Sequence, residues 1–334
     1  MIKKLPERKN LWRIGVGAGL LGGLAFLLRY TLKSPRKQRL PDAMSPAIFA
    51  TKVFEGSNGE MLYHVSGSGA PIIFIHSIFV GASSYEWSRV YPSFAHHFTV
   101  YALDLVGFGE SARPARAFTN DDHVQLLTEF IRTKCGTKKP VLIGSGLGGG
   151  ICAQLASQHP ELISRLILLM PTGLTDFGRQ RLSRRASILA RLPVFNRLAY
   201  RNYLSRPTLI QAWLERYGFS NPELIDTEML DVISTCAQQY GAEHAIRALL
   251  AGKLNLDLED RLRSIPHPIH FIWGERAVFP PVEWAEPYVE ICASARLTTI
   301  ENAGTFAALE CPGALIRILH ADLIPDFRLV EEAK

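Results

Sequence analysis

The stretch of sequence that decides the fold is VLIGSGLGGGICAQLASQHP, residues 141–160. Its first residues are apolar, which predicts a short buried strand over 140–144. Small residues and leucines follow at helical spacing, which predicts a helix over 147–159. The glycines between the two elements predict a sharp turn with no room for large side chains. The stretch therefore predicts a strand–turn–helix unit.

The same turn partly matches two phosphate-binding motifs. It lacks the Lys-Ser/Thr that ends a P-loop, so nucleotide binding of that kind is disfavoured. Gly144, Gly146 and Gly149 do match the G-x-G-x-x-G of dinucleotide-binding folds, which is the main competing interpretation. The remaining segments of the chain decide against it.

Strand and helix signals alternate on both sides of this unit, which predicts an α/β fold with a mostly parallel sheet covered by helices on both faces. From 174 to 264 the pattern is wholly helical, as expected for a cap inserted between two strands. The cap is rich in arginine, and a membrane-surface role and an ordinary solvated face are both compatible with it. Further strands are predicted at 61–66, 71–76, 99–103, 162–170, 269–273 and 297–300, and a helix at 121–135.

Composition bounds the function classes. The chain has 334 residues, of which 47% are hydrophobic and 20% charged, so it is an ordinary globular protein. Its five cysteines are scattered and form no C-x-x-C pair, which argues against a disulfide scaffold or a zinc site and suits a reducing compartment. We expect no cofactor and no metal ion.

Positive charge is concentrated at the N-terminus. The first 40 residues carry a net charge of +9, although the whole chain carries only +6, so the rest is slightly acidic. The high isoelectric point therefore belongs to this segment, and we expect no nucleic-acid binding.

Residues 11–30 are predicted to form a single-pass membrane anchor. Positions 14–28 contain no charged residue, and Trp12 and Tyr30 flank them as interfacial aromatics often do. Gly15, Gly19 and Gly23 recur on one helical face, which favours close packing against another membrane helix. The expected partners are membrane lipid and a membrane protein complex contacted through 11–30.

Three other interpretations of residues 11–30 compete with a membrane anchor. A signal peptide lacks a cleavage site here, because the downstream flank is basic. A transit peptide should be amphipathic and rich in serine, whereas this run is apolar all round. A buried soluble helix is the remaining alternative. Both flanks are basic and leave the orientation open, but the cysteine usage places the body on the cytoplasmic or equivalent reducing side.

Five segments in this order resemble the α/β-hydrolase superfamily over about residues 50–325. They are PIIFIHSIFVGASSYEW (71–87), VYALDLVGFGESARP (100–114), residues 141–160, PIHFIWGERAVFPP (268–281) and IENAGTFAALECP (300–312). Together with the charge and hydropathy pattern, which gives a basic N-terminus (1–10), an anchor (11–30) and a linker (31–48), the resemblance divides the rest into a core in two parts (49–173 and 265–334) and the helical cap (174–264).

The same resemblance places a degenerate catalytic triad in this chain. The G-x-S-x-G nucleophile position falls on Gly146, the acid position on Ala277 and the histidine position on Thr305. Glycine cannot attack, alanine cannot orient an imidazole and threonine cannot shuttle a proton near neutral pH. Superfamily members without a working triad are known, so the pattern implies a pseudoenzyme. We nevertheless expect the elbow to accept a serine at 146.

Other residues offer a way round this loss. Ser145 precedes the elbow apex and should point away from it; a His76/Ser145/Asp104 group is conceivable, and Glu275 is a possible displaced acid. For these, and for His96, His97 and His320, structural roles are favoured. By resemblance, the oxyanion donors are the N–H of Leu147 and one N–H near Ser77 or Ile78. Ser77 stands where the family commonly has glycine.

Two functions are compatible with the sequence. The first is a membrane-anchored binding or scaffold protein without serine-hydrolase activity, which takes a small lipophilic ligand or joins a membrane complex. The second is a lipid or ester hydrolase that uses displaced residues. The candidate ligand pocket is formed by His76, Ser77, Ile78, Ser145 and Leu147.

Overall fold

The structure is a computed structural model that describes residues 49–116, 118–174, 197–292 and 294–324. The predicted anchor (11–30), the linker (31–48) and most of the arginine-rich start of the cap lie outside these residues. Within the described ranges, no helix is both long enough and apolar enough to cross a bilayer.

The described residues form an α/β-hydrolase fold around an eight-stranded sheet in the order β1-β2-β4-β3-β5-β6-β7-β8. β1 and β2 form an antiparallel hairpin, β2 is antiparallel to β4, and β3 to β8 are all parallel. The strands are β1 (Ala50–Gly56), β2 (Gly59–Ser66), β3 (Ala70–Ile75), β4 (Phe98–Leu103), β5 (Val141–Ser145), β6 (Arg165–Leu169), β7 (Ile269–Gly274) and β8 (Ala295–Ile300).

The sequence pattern predicts seven of these strands and misses β1. The central strand β3 shows why these strands are detected. Its residues Ile72, Ile73, Phe74 and Ile75 form a continuous apolar run, and all are fully buried because helices cover both faces of a parallel sheet. β1 lies at the edge, where six of its seven residues are not buried, so it has no continuous apolar run to detect.

Helices cover the sheet. α1 begins behind Thr119, whose hydroxyl accepts the N–H of Asp122 at 3.2 Å while the Asp122 carboxylate accepts the N–H of Thr119 at 2.8 Å. The helices are α1 (Asn120–Lys134), α2 (Gly146–Gln158), α3 (Pro207–Trp213), α4 (Thr227–Ala237), α5 (Ala242–Leu250), α6 (Glu259–Ser264), α7 (Ala285–Ile291), α8 (Ala307–Glu310) and α9 (Pro312–Leu323).

The described part of the cap, residues 197–264, contains helices and turns and no strand. It has a hydrophobic cluster of its own, which includes the fully buried Leu214, Met229 and Val232. The cluster continues into the body through Tyr85 and Phe306. The cap is therefore packed onto the edge of the sheet where the parallel strands end.

Candidate functional site

The elbow forms where β5 passes into α2. Gly146 lies at its apex with φ +50°, a left-handed conformation that favours glycine. Two positions on, a Cβ on Gly148 would lie 2.1 Å from the carbonyl oxygen of His76. The glycine run is thus required by the close packing of α2 against the end of β3, and a phosphate cradle is not needed to explain it.

The space above Gly146 is filled by Ser77. A Cβ at position 146 would lie 2.2 Å from the Ser77 Oγ and 3.0 Å from its Cβ. Real Cβ atoms essentially never approach so closely, so one of the two residues must move. A serine at 146 therefore requires Ser77 to shift, so acceptance of a serine by the elbow stays a prediction.

Two hydrogen bonds hold the Ser77 backbone in this place, and a third fixes its partner His76. Its N–H donates to Glu86 Oε2 at 2.7 Å, and its carbonyl accepts from His76 Nδ1 at 2.5 Å. The other ring nitrogen of His76, Nε2, accepts the N–H of Leu105 at 3.0 Å, which fixes a neutral tautomer. We call His76, Ser77 and Glu86 the Ser77 clamp. Because the Ser77 N–H is already donated, it is not an oxyanion donor, and Ile78 and Leu147 remain as the candidates.

Glu86 is the main site residue that the sequence does not reveal. It lies in a short 3-10 helix, Ser84–Trp87, and only 3% of its surface is exposed. Burial raises its pKa to about 7, although hydrogen bonds from the Ser145 hydroxyl and the Ser77 N–H oppose this rise. From the sequence, a glutamate among serines and aromatic residues is predicted to be exposed, so its burial could not be predicted.

The two serines of the site have complementary deficiencies. Ser145 bonds to Glu86, a base with a suitable pKa, but Ser145 is only 3% exposed. Ser77 is partly exposed and lies at the apex, but among the described residues its hydroxyl bonds to no base. A serine nucleophile needs both access and a base. Neither serine has both.

The acid and histidine loops lie side by side, as in a working triad, but carry no triad side chains. Ala277 is buried after the end of β7, and Thr305 is partly exposed. The Thr305 hydroxyl accepts the N–H of Phe279 at 3.2 Å, and the carbonyl of Ala303 accepts the N–H of Arg276 at 2.9 Å. The two loops are therefore joined by one backbone hydrogen bond and by one bond that the Thr305 hydroxyl itself accepts.

Glu310 ties the histidine loop to the cap. Its Oε1 accepts hydrogen bonds from the N–H and hydroxyl of Ser220, at 2.8 and 2.6 Å, and from the Asn221 N–H at 2.8 Å. Its Oε2 accepts the N–H of Gly304 at 2.6 Å. The residue is buried, so these charge-assisted bonds act in a region of low dielectric.

Aromatic rings of the cap cover the loops beside the elbow. The ring centroid of Phe79 lies 4.8 Å from that of Phe306 and 5.9 Å from that of Trp213. Phe219 lies 6.1 Å from Phe306. Ile78 and Leu147, two of the predicted pocket residues, are also buried. The site is thus largely closed by apolar packing, with Ser77 and Thr305 at its partly exposed end.

The other candidates have structural roles. Asp104 accepts the N–H groups of Ser84 and Glu110, each at 2.7 Å, and so braces the turn after β4. His76, Ser145 and Asp104 do not form a relay, because each bonds elsewhere. Glu275 accepts the N–H of Asn302 at 2.9 Å.

The remaining histidines also lie away from the elbow chemistry. His320 packs edge-on against Phe94, and His96 and His97 are exposed. In the described ranges, His64 can offer a ligand atom within 4.8 Å of those of Asp104 and Glu110. Since both carboxylate oxygens of Asp104 already accept backbone N–H groups, this cluster belongs to the turn.

The fold and the elbow define the class of protein. The family model for the alpha/beta hydrolase fold matches residues 70–312, and the chain belongs to this family. The chain is 27% identical over 274 residues to 2-hydroxy-6-oxo-6-(2'-aminophenyl)hexa-2,4-dienoic acid hydrolase of Metapseudomonas resinovorans, covering 80% of this chain and 89% of the relative. It is 26% identical over 263 residues to 2-hydroxymuconate semialdehyde hydrolase of Pseudomonas sp. (strain CF600), covering 74% and 87%.

Solved structures give the same fold. A serine hydrolase involved in carbazole degradation superposes with a TM-score of 0.68 at 22% identity, covering 82% of this chain and 98% of that one. A membrane phospholipase A, described as a bacterial virulence factor, also has a TM-score of 0.68 at 22% identity, and covers 95% and 96%. The named relatives are hydrolases, which favours hydrolysis over a purely structural role. The side chains at the elbow do not favour hydrolysis.

Proposed function

We propose that this chain is a membrane-anchored binding protein of the α/β-hydrolase family that does not catalyse serine hydrolysis. The observation that carries the proposal is the Ser77 hydroxyl in the nucleophile's space, 2.2 Å from a Cβ at position 146. Substitution at three triad positions removes the reactive groups, and the Ser77 clamp closes the place where one of them would stand. Loss of a triad costs on the order of 10⁶ in rate.

The site is still suited to binding. Its accessible end carries the polar groups of Ser77 and Thr305 next to the rings of Phe79 and Phe306. Apolar walls with a few polar groups are typical of ligand sites. A small lipophilic ligand with one polar end fits this chemistry, and a membrane is the natural source of such a molecule.

The membrane anchor is part of the proposal. It is supported by the uncharged run at 14–28 with basic flanks, which is close to the length needed to span a bilayer. One protein of similar fold is named a membrane phospholipase A. Alkaline carbonate washing tests the anchor: an integral protein stays with the bilayer, and release into the wash would refute it. Co-purification in detergent then tests for a membrane complex held through 11–30.

A second candidate function is favoured by the named relatives and by the Glu86–Ser145 hydrogen bond. A carboxyl with a pKa of about 7 is suited to act as a general base near neutral pH. In this alternative the chain is a lipid or ester hydrolase, and motion of the cap must expose Ser145 to its substrate.

Labelling with a fluorophosphonate probe separates the two. We expect the full chain in mild detergent to remain unlabelled and to hydrolyse neither short nor long acyl esters. Labelling that disappears in Ser145→Ala or in Ser77→Ala, and persists in the control Ser88→Ala, would identify a hydrolase with a displaced nucleophile and overturn the main proposal.

A further inference from the structure

A second cavity lies at the opposite edge of the sheet, where the parallel strands begin. Its volume is about 430 Å³, which is within the range of small-molecule sites. Arg165 at the start of β6, His270 in β7 and Arg296 in β8 line it, and Asp322 near the end of α9 completes it. It shares no residue with the elbow, so the function proposed above does not use it.

The cavity has a fixed charge pattern. The Asp322 carboxylate, 5% exposed, accepts from Arg296 Nη2 and from His270 Nδ1. His270 Nε2 accepts from the Thr298 hydroxyl at 2.8 Å. Burial, together with the Arg296 and Arg165 charges, lowers the pKa of His270 to about 3, so the ring is neutral at physiological pH.

Arg165 differs from Arg296 in this cavity because it does not pair with the Asp322 carboxylate. Its Nη1 donates to the backbone carbonyl of Asp322, and within the described ranges it makes no ion pair with a carboxylate. The cavity lining therefore holds two guanidinium groups against one carboxylate. Arginine presents several donors in a plane that matches a phosphate or carboxylate group.

The topology places this cavity on the same edge as the N-terminal segment. β1 is antiparallel to β2, and β2 is antiparallel to β4, so β1 runs in the direction of the parallel strands. Ala50, where β1 begins, therefore lies at the same ends of the strands as the first residues of β6, β7 and β8. The chain enters the folded body from residues 1–48 at this edge.

Further exposed cations lie at the same ends of the strands as the cavity, nearer to β1, β2 and β3. α1 ends there before β5 begins, and Arg132 and Lys134 of its last turn are exposed, as are Lys138 and Lys139 in the loop that follows. Glu161 is the nearby acid and lies 4.0 Å from Arg132. A surface of this sign is attracted to anionic lipid.

We propose that the cavity lined by Arg165 and Arg296 binds the phosphate group of a phospholipid headgroup and so orients the body on the membrane. This inference rests on the proposed membrane anchor, which brings the edge beside lipid. Phosphate is the shared chemistry of a headgroup and of a free phosphorylated solute. The cavity opens at the same ends of the strands from which the N-terminal segment enters, although β1 and β8 lie on opposite sides of the sheet, and this shared face favours the headgroup.

The test titrates the full chain in detergent with dihexanoyl-phosphatidylglycerol and, separately, with inorganic phosphate. We expect saturable binding of the lipid and much weaker binding of inorganic phosphate. Arg165→Gln should weaken lipid binding about tenfold. Arg165→Lys keeps the charge and should weaken lipid binding only about threefold. The matched control Lys139→Gln removes one charge from the same edge outside the cavity and should change affinity less than about twofold.

A second variant guards against misfolding of the first. Ser294 lies on the exposed rim of the cavity, so Ser294→Glu should fold normally and repel the phosphate, again by about tenfold. Absence of saturable binding, or an equal loss in Lys139→Gln, would overturn the site. Equal affinity for inorganic phosphate would overturn the lipid source. Carbonate extraction tests the anchor independently, so failure of the anchor and failure of the site are distinguishable.

Discussion

The two ends of the parallel strands differ in the side chains that their loops carry. At the elbow edge the backbone framework of a hydrolase is intact, but uncharged or small groups occupy its reactive positions: Gly146, Ala277 and Thr305. At the opposite edge no hydrolase machinery is expected, yet two arginines and a buried aspartate line an open cavity. The elbow backbone is therefore kept where packing requires it, although these three positions carry no triad side chain.

The packing requirement is specific. Gly148 allows α2 to approach the end of β3, and Glu310 holds Gly304 and the cap loop at Ser220. None of these interactions involves a triad side chain. Loss of the triad thus leaves the folded framework unchanged, and each prediction below tests how completely the elbow has been separated from catalysis.

The largest expected effect concerns activity. The triple variant Gly146→Ser, Ala277→Asp, Thr305→His should remain at least about 10³-fold below an ordinary esterase, because the Ser77 clamp still fills the nucleophile space. Ester hydrolysis by the full chain measures this. If the triple variant reached ordinary hydrolase rates, the elbow would be a working pocket that lacks only three side chains, and our binding proposal would fail.

The next effect is on stability. Gly146→Ser alone should lower the free energy of unfolding by about 3 kcal/mol, from a strained φ and a clash with Ser77 Oγ. Gly136→Ser is the matched control, because Gly136 has φ +60° and a Cβ there would meet nothing within 4 Å; it should cost about 1 kcal/mol. Denaturant unfolding compares them. Equal losses would mean that the clash is relieved without cost.

A smaller loss is expected from Glu310→Ala. Removal of a buried carboxylate that accepts four hydrogen bonds should destabilise the chain by about 2 kcal/mol, and Glu286→Ala, at an exposed acid, should be near neutral. Thermal and denaturant unfolding both report it. A neutral Glu310→Ala would mean that the cap and the histidine loop are held by apolar packing alone.

The smallest expected effect is the pH dependence from Glu86. Its pKa is about 7 when folded and near 4.5 when unfolded, so the folded state binds the extra proton between these values. This contribution to stability is complete below pH 4.5 and is lost as the pH rises through 7. Relative to Glu86→Gln, the wild type should lose about 1 kcal/mol between pH 6 and pH 7. A pH-independent difference would contradict the burial of an ionisable group.

Sequence patterns identify the sheet and the elbow because both depend on local features, namely apolar runs and a glycine-rich turn. They also predict the three triad positions, since the flanking motifs are intact. They do not identify the Ser77 clamp, because Ser77 and Gly146 are far apart in the chain and meet only when α2 packs on β3. The serine at 77 was a visible signal, but its consequence needed the distance to Gly146. Glu86 and the Arg165 cavity likewise depend on burial and on strand order.

The mutual exclusion of Ser77 and a side chain at 146 sets an order on any return to catalysis. Gly146→Ser made first produces a strained chain that selection for folding would remove. Ser77→Gly made first opens the space above position 146, and the nucleophile can then enter. The route back is thus directional, with the least chemically reactive substitution first. A library that randomises position 146 alone would therefore not find it.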